Sequence, residues 1–219
     1  VLAGWTRDNQ IGILTPTEER TAIYAIPAAG GRAVQLTPKG GIEPAWTPDS
    51  KRIYFLGFHG GDRIGLEVVP AEGGAVERVP LGGGFSERRW TINGDLSVSP
   101  DGQLVCFPGA EMRERDVSLG IFTLSIRDGL PTRLTAHGSG ATGADAYSIW
   151  SPDGTRIAFI RADLDIKSGN TTANIFVIPR DGGEPRQVTT DADRVRLNSL
   201  AWSPDGRTIA FSAADKTLR

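Results

Sequence analysis

The sequence predicts an all-β chain of tandem four-stranded antiparallel units. The first reason is a repeat: AWTPDSKRIYFLG from Ala45, SVSPDGQLVCFPG from Ser97, IWSPDGTRIAFIR from Ile149 and AWSPDGRTIAFSA from Ala201. Trp46, Val98, Trp150 and Trp202 stand 52 residues apart, as do Phe55, Phe107, Phe159 and Phe211. A second pattern recurs between these segments, as IYAIPAAGGRAVQLT from Ile23, LEVVPAEGGAVERVP from Leu66 and IFTLSIRDGLPTRLT from Ile121. A period of this length, carrying short apolar runs, marks an array of like supersecondary units. The third reason is composition: 28 Gly and 14 Pro in 219 residues supply the turns that many short strands need.

Taken in order, the chain opens on a decayed copy, Trp5-Thr6-Arg7-Asp8, which has lost the turn proline and stands 41 residues before Trp46. Units then follow at about 1–40, 41–92, 93–144, 145–196 and 197–219, the last one partial. The fourth unit shows the plan most clearly. Ser148–Trp150 is a strand, and Ser151-Pro152-Asp153-Gly154 is a tight turn. Proline pre-sets φ there, Asp bonds the backbone that follows it, and Gly tolerates positive φ. Ile157–Ile160 is a second strand and Asn174–Pro179 a third. Arg180-Asp181-Gly182-Gly183 is an Asp-Gly hairpin turn, and Arg186–Thr189 a fourth strand.

Such units in tandem predict a β-propeller, whose blades stack radially around a channel. The periodic Trp and Phe are then packing residues between blade faces. The last unit ends after its second strand at Phe211-Ser212, which gives four full blades plus half of a fifth. The expectation is part of a larger ring of about six to eight blades. The alternative is a closed four-bladed ring with an extra hairpin packed outside. If the ring is open, unpaired blade edges invite self-association.

The Trp-Ser-Pro-Asp-Gly turn followed by Ile-Ala-Phe, the Ile-Pro-x-Asp-Gly-Gly hairpin and the Leu-Thr or Val-Thr strand resemble the TolB-type, WD-like propeller repeat. The resemblance covers essentially the whole chain and extends to propellers of prolyl-oligopeptidase-family serine peptidases, tricorn-type proteases and oligogalacturonate lyases. It implies a non-catalytic scaffold that binds a protein or ligand in the periplasm or another extracytoplasmic space. The alternative it implies is the substrate-gating propeller of a prolyl-oligopeptidase-type peptidase, with the catalytic triad in a domain outside this chain. Fold-level likeness does not choose between them.

Bulk properties narrow the function classes. A net charge of −2 argues against a general nucleic-acid surface. No run approaches the roughly 20 apolar residues of a membrane span. The single Cys106, between Val105 and Phe107, reads as a buried apolar filler and excludes intrachain disulfides. That composition fits either side of a membrane.

Candidate binding residues fall where the units differ. The turns after the first and third strands are monotonous, whereas the opposite end carries varied loops, where binding residues concentrate. These loops are read as Pro38–Glu43, Leu81–Gly94, Ala136–Ala146 and Asp191–Asn198 between units. Within units they are Gly57–Gly65, Gly109–Leu119 and Arg161–Ala173. They hold His59, His137, Trp90 beside Arg88 and Arg89, and Arg113 and Arg115 within the mixed run Glu111–Asp116. Aromatic and Arg side chains are the residue types enriched at binding hot spots. The bland readings are exposed loop histidines, a Trp folded over a blade edge and a solvated charge run.

Glu43 and Asp95 occupy matched positions three residues before Trp46 and Val98. Both could turn carboxylates toward the channel mouth to hold a cation, but Tyr147 and Ser199 break that ring. Asp163, Asp165 and Ser168 begin like a calcium loop, but Ser168 stands where Gly is needed and Asn174 where Glu is needed. Gly138–Gly143 matches GxGxxG without a helix to supply an N-terminus for phosphate. Gly84-Phe85-Ser86-Glu87-Arg88 fails as a nucleophile elbow at its last position. No His-Glu-x-x-His and no Cys pair offer a metal site. The sequence therefore predicts no catalytic residue, metal or cofactor in this chain.

Overall fold

A computed structural model describes residues 2–5, 10–16, 21–59, 64–82, 90–113, 116–137, 143–165, 167–168, 170–189 and 194–215. The first sheet runs β1 (Leu2–Trp5), β2 (Gln10–Pro16), β3 (Thr21–Pro27), β4 (Val34–Gln35). The second runs β5 (Ile42–Trp46), β6 (Arg52–Phe58), β7 (Ile64–Pro70), β8 (Glu77–Arg78). The third has β10 (Ser97–Val98), β11 (Leu104–Arg113), β12 (Asp116–Ser125) and β13 (Pro131–Arg133), with β9 (Trp90–Ile92) added beside β11. The fourth runs β14 (Gly143–Trp150), β15 (Arg156–Asp165), β16 (Asn170–Pro179), β17 (Arg186–Gln187). A last pair is β18 (Arg194–Trp202) with β19 (Ile209–Asp215). All neighbours pair antiparallel in sequence order, β9 apart. Among the described residues no helix is long and apolar enough to cross a membrane.

The sheets stack face to face, and the core lies in the layers between them. Ile23 and Ala25 of β3 pack on Ile53, Phe55 and Val69 of the second sheet. Leu66 and Val68 of β7 meet Val105, Phe107, Phe122 and Leu124 of the third. Cys106 and Ile121 meet Trp150, Ile157, Phe159 and Ile178 of the fourth. Ile160, Ala173 and Ile175 meet Leu200, Ile209 and Phe211. The first strands β1, β5, β10, β14 and β18 lie each beside the next. This is the radial stacking of an all-β propeller, with the facing apolar sides of neighbouring sheets packed on each other.

The repeat motifs are hydrogen-bond locks. In the turn after each of four first strands a hydroxyl donates to the Asp two residues on. The pairs are Thr47–Asp49 (2.6 Å), Ser99–Asp101 (2.5 Å), Ser151–Asp153 (2.6 Å) and Ser203–Asp205 (2.6 Å). Each of these carboxylates also accepts a backbone N–H at 3.0 Å, from Lys51, Gln103, Thr155 and Arg207. The bonds from Ser151 and Thr155 hold the Asp153 carboxyl down at about 2. The Leu-Thr or Val-Thr ending has a similar cause. The hydroxyls of Thr37, Thr135 and Thr189 accept the N–H of Ile23, Ile121 and Ile175 at 2.8–2.9 Å, tying fourth strand to third. Pro80 replaces this threonine in the second unit.

Several expected loops are strand. β11 and β12 pair without a break from Leu104↔Ser125 to Arg113↔Asp116, so Gly109–Leu119 is a long hairpin and not an open loop. β15 and β16 do the same from Arg156↔Pro179 to Asp165↔Asn170, which takes Asp163 and Asp165 out of any calcium-loop geometry. Trp90 lies in β9, whose Trp90 faces Glu111 across the ladder, and not in a loop. The physical reason is that these hairpins run past the packed body of the sheet. Toward their ends even apolar side chains such as Met112, Val117 and Leu164 are exposed, so no apolar alternation marks the strands, and polar residues fit a paired ladder. Cys106 is fully buried, as its apolar neighbours imply.

Candidate functional site

The end of the molecule opposite the Ser-Pro-Asp-Gly turns holds the unit-specific side chains. At its inner mouth the first strands carry irregularities at matched places, between Ile42 and Ala45, between Ala146 and Ile149, and between Leu197 and Ser199. Two non-glycine residues with positive φ sit in them, Glu43 at φ 52° and Tyr147 at φ 54°. Such a bulge bends the strand and re-aims one side chain, and the left-handed conformation it imposes is unfavourable for residues with a Cβ. Glu43 meets Asp95 across the junction of the second and third sheets. Burial, then a hydrogen bond that protonated Glu43 donates to Asp95 and the negative charge of Asp95, push the Glu43 carboxyl up to about 7. Near neutral pH Glu43 is therefore partly protonated, and it can donate a hydrogen bond or release a proton. Among the described residues no group of three His, Cys, Asp or Glu converges to hold a metal ion.

Both histidines lie over a glycine and beside a carboxylate. His59 Nδ1 accepts from Arg78 Nη2 at 2.8 Å, and its Nε2 stands 3.5 Å from Glu67 Oε1. A Cβ on Gly65 would come within 2.6 Å of His59 Nε2, so that glycine makes the seat for the ring. His137 Nε2 is 2.5 Å from Asp163 Oδ1, and a Cβ on Gly143 would lie 2.9 Å from the same ring. The two rings belong to different sheets, and the structure does not bring them to one site.

The sequence reading missed a buried polar network. Asp145, with its side chain fully buried, takes two bonds from Arg161, Nε at 2.8 Å and Nη2 at 2.9 Å. Thr135 Oγ1 donates to the same carboxylate at 2.5 Å, which joins the third sheet to the fourth. The Arg161 guanidinium also lies over the rings of Phe159 and Phe176 at 5.4 and 4.9 Å. Beside it Arg133 binds Glu111 at 2.9 Å and also reaches Ser118 and the carbonyl of Thr135. One signal was available: Arg161 stands where the second and third units have Gly57 and Gly109.

Of the other expected site residues, Trp90 is 3% exposed and stacks on Phe107 at 6.0 Å, with its Nε1 donating to the Gly82 carbonyl at 3.1 Å. Its ring is part of the core between the second and third sheets and presents no open face to a partner. Arg113 ends β11. Arg88, Arg89 and Arg115 lie outside the described residues.

Comparison with known proteins agrees with this architecture. The family model for the WD domain, G-beta repeat, matches residues 184–219. An uncharacterized protein of Agrobacterium fabrum is 23% identical over 201 residues, 88% of this chain and 61% of the relative. A TolB homolog of Chlorobium luteolum is 28% identical over 75% of this chain and 33% of its own length. Dipeptidyl-peptidase 5 of Porphyromonas gingivalis is 27% identical over 57% of this chain and 18% of its own. The chain thus spans at most 61% of the length of these curated relatives. Among solved structures, a TolB-type protein of Agrobacterium tumefaciens superposes with a TM-score of 0.71 at 21% identity, over 95% of this chain and 73% of that one. Oligogalacturonate lyase of Vibrio parahaemolyticus does so at 0.70 and 13%, over 98% and 58%. Repeats and stacked sheets identify the chain as an all-β propeller array, and its repeats are similar to those of TolB homologs, WD domains and peptidase propellers.

Proposed function

We propose that this propeller is a non-catalytic scaffold that binds a protein partner through its unit-specific end, in an extracytoplasmic compartment as in the reading by resemblance to TolB. The observation that carries it is the contrast between the two ends. One end repeats the same hydroxyl–Asp lock four times. The other carries groups that do not recur in every unit: Glu43 with Asp95, His59 with Arg78, His137 with Asp163, and Arg133 with Glu111. Each of these groups is held by a charged or hydrogen-bonding neighbour, the arrangement of a specific polar surface. Fixed, oriented polar groups on a rigid sheet end favour recognition with little ordering cost. Screening the purified protein against hydrolase and lyase substrates tests the reading. Turnover that is lost on Glu43→Gln or His137→Ala would overturn it.

A second reading is favoured by the likeness to dipeptidyl-peptidase 5: a substrate-gating propeller that leaves the chemistry to a hydrolase domain. Reading the gene on both sides of this segment separates the two. A Gly-x-Ser-x-Gly elbow in the flanking sequence supports the peptidase, and its absence supports the binding scaffold.

A further inference from the structure

Asn93-Gly94 is the sole Asn-Gly pair in the chain, and the fold sets it apart from the other asparagines. In the second sheet, the fourth sheet and the last pair, the first strand bulges at the inner mouth and continues. In the third sheet it is broken at that place into β9 and β10, and residues 93–96 between them belong to neither strand. The Asn93 side chain is exposed, while its backbone N–H donates to the Pro108 carbonyl at 2.8 Å and anchors the residue. Thr91 Oγ1 donates to Asn93 Oδ1 at 2.7 Å. Gly94 follows at φ 147°, a conformation that side chains disfavour, and it has no Cβ to shield its nitrogen.

We propose that Asn93-Gly94 is a self-modification site: in the folded protein Asn93 deamidates through a succinimide, which adds a carboxylate two residues from Asp95 at the inner mouth. The inference does not depend on the scaffold reading. The Gly94 nitrogen, once solvent hydroxide has taken its proton, attacks Asn93 Cγ and closes the succinimide ring. The bond from Cγ to the side-chain nitrogen breaks, and that nitrogen leaves as ammonia with a proton from water. Water then opens the ring at either carbonyl, to aspartate or to isoaspartate, in which the main chain runs through the side-chain carbonyl. The sum is amide plus water to carboxylate plus ammonium. The bond from Thr91 assists, because it draws electron density from Cγ and stabilises the negative oxygen that forms on attack. The other four asparagines, Asn9, Asn170, Asn174 and Asn198, are followed by Gln, Thr, Ile and Ser, whose side chains crowd the attacking nitrogen. Asn170 and Asn174 are also held in the β15–β16 ladder, opposite Asp165 and Arg161. The fourth unit shows why the product matters. The residue matched to Asn93 is Asp145, whose carboxylate is held by Arg161. The residue matched to Arg161 is Gly109, so the third unit has no cation at that place to hold the new acid. Its charge instead adds to that of Asp95, and like charges close together repel.

The test holds the folded, full chain in warm, mildly alkaline buffer and follows it by isoelectric focusing and peptide mapping, with an isoaspartyl methyltransferase to mark the isoaspartate. We expect one negative charge gained per chain, ammonia released in equal amount, and the change confined to the peptide that contains Asn93. Asn93→Gln, whose longer side chain does not readily close this ring, abolishes the charge shift. Thr91→Val slows the reaction several-fold in the native chain and leaves the rate in urea unchanged, since the bond from Thr91 exists only in the fold. Asn93→Asp, the product made directly, unfolds at lower urea than Asn93→Gln near neutral pH, and the gap narrows in acid as the carboxyls take up protons. A native chain that keeps its charge, deamidation spread over the other asparagines, or a native rate indifferent to Thr91→Val would overturn the proposal. Equal stability of Asn93→Asp and Asn93→Gln would overturn the place assigned to the new charge.

Discussion

Replacing Glu43 by Gln removes a titration and little else. The amide keeps the length of the side chain and can still donate to Asp95. In the wild type the folded-state carboxyl is raised from 4.5 to about 7. The folded protein therefore holds a proton that the unfolded chain has released between those two values. Stability falls as pH rises through that window and levels off above it. At full strength a shift of that size is worth roughly 3 kcal/mol. Glu43 is half-buried, and solvent screening reduces this to about 1–2 kcal/mol. Urea unfolding followed by Trp fluorescence, at about pH 5 and about pH 8.5, reads the difference through linkage. The wild type should lose about 1–2 kcal/mol between the two conditions through this group. Glu43→Gln should lose correspondingly less, so that the two curves cross or converge toward low pH. Parallel pH profiles for the two proteins would refute the raised Glu43 carboxyl and with it the contact between Glu43 and Asp95.

Other expectations follow from the packing. Phe159→Ala, at a fully buried site stacked on Phe176, should cost about 3–5 kcal/mol, and Trp150→Ala nearly as much. Trp202→Ala should cost clearly less, because Trp202 is only partly buried; thermal melts give the order. Arg161→Met leaves the buried Asp145 carboxylate without its partner and should cost about 3–5 kcal/mol, whereas the double change with Asp145→Leu should recover much of it. The Cys106 thiol, pushed up to about 12 by burial, should resist thiol reagents in the native protein and react in urea.

The scaffold was legible because its code is local. A hydroxyl, an Asp and a Gly within four residues specify one turn, and the threonine after a Leu or Val specifies one bond to the neighbouring strand. The extent of the long hairpins was not legible. Met112 and Arg113 look like loop residues until they are seen opposite Val117 and Asp116, and pairing across a turn leaves no mark in the hydropathy of either strand. Trp90 misled for a related reason. It falls outside the 52-residue pattern of Trp46, Trp150 and Trp202, yet it fills the same kind of layer from an added strand. A departure from the repeat can therefore be a second solution to packing as well as a binding residue.

What separates the two is the bond inventory rather than the sequence. Trp90 deviates and is buried among Phe107, Leu66 and Ile92, with its one polar atom satisfied by a neighbouring carbonyl. Its deviation is accounted for by the core. Glu43 deviates and remains only half-buried, in a backbone conformation that a side chain disfavours, against a second carboxyl. Packing gives no reason for that choice, since a glycine would relieve the backbone and an apolar residue would avoid the charge. Arg161 falls between them: it stabilises a buried carboxylate at a sheet junction, and replacing both partners by apolar residues would serve packing as well. By this ordering the inner mouth at Glu43 and Asp95 is where the propeller departs furthest from what its own stability requires.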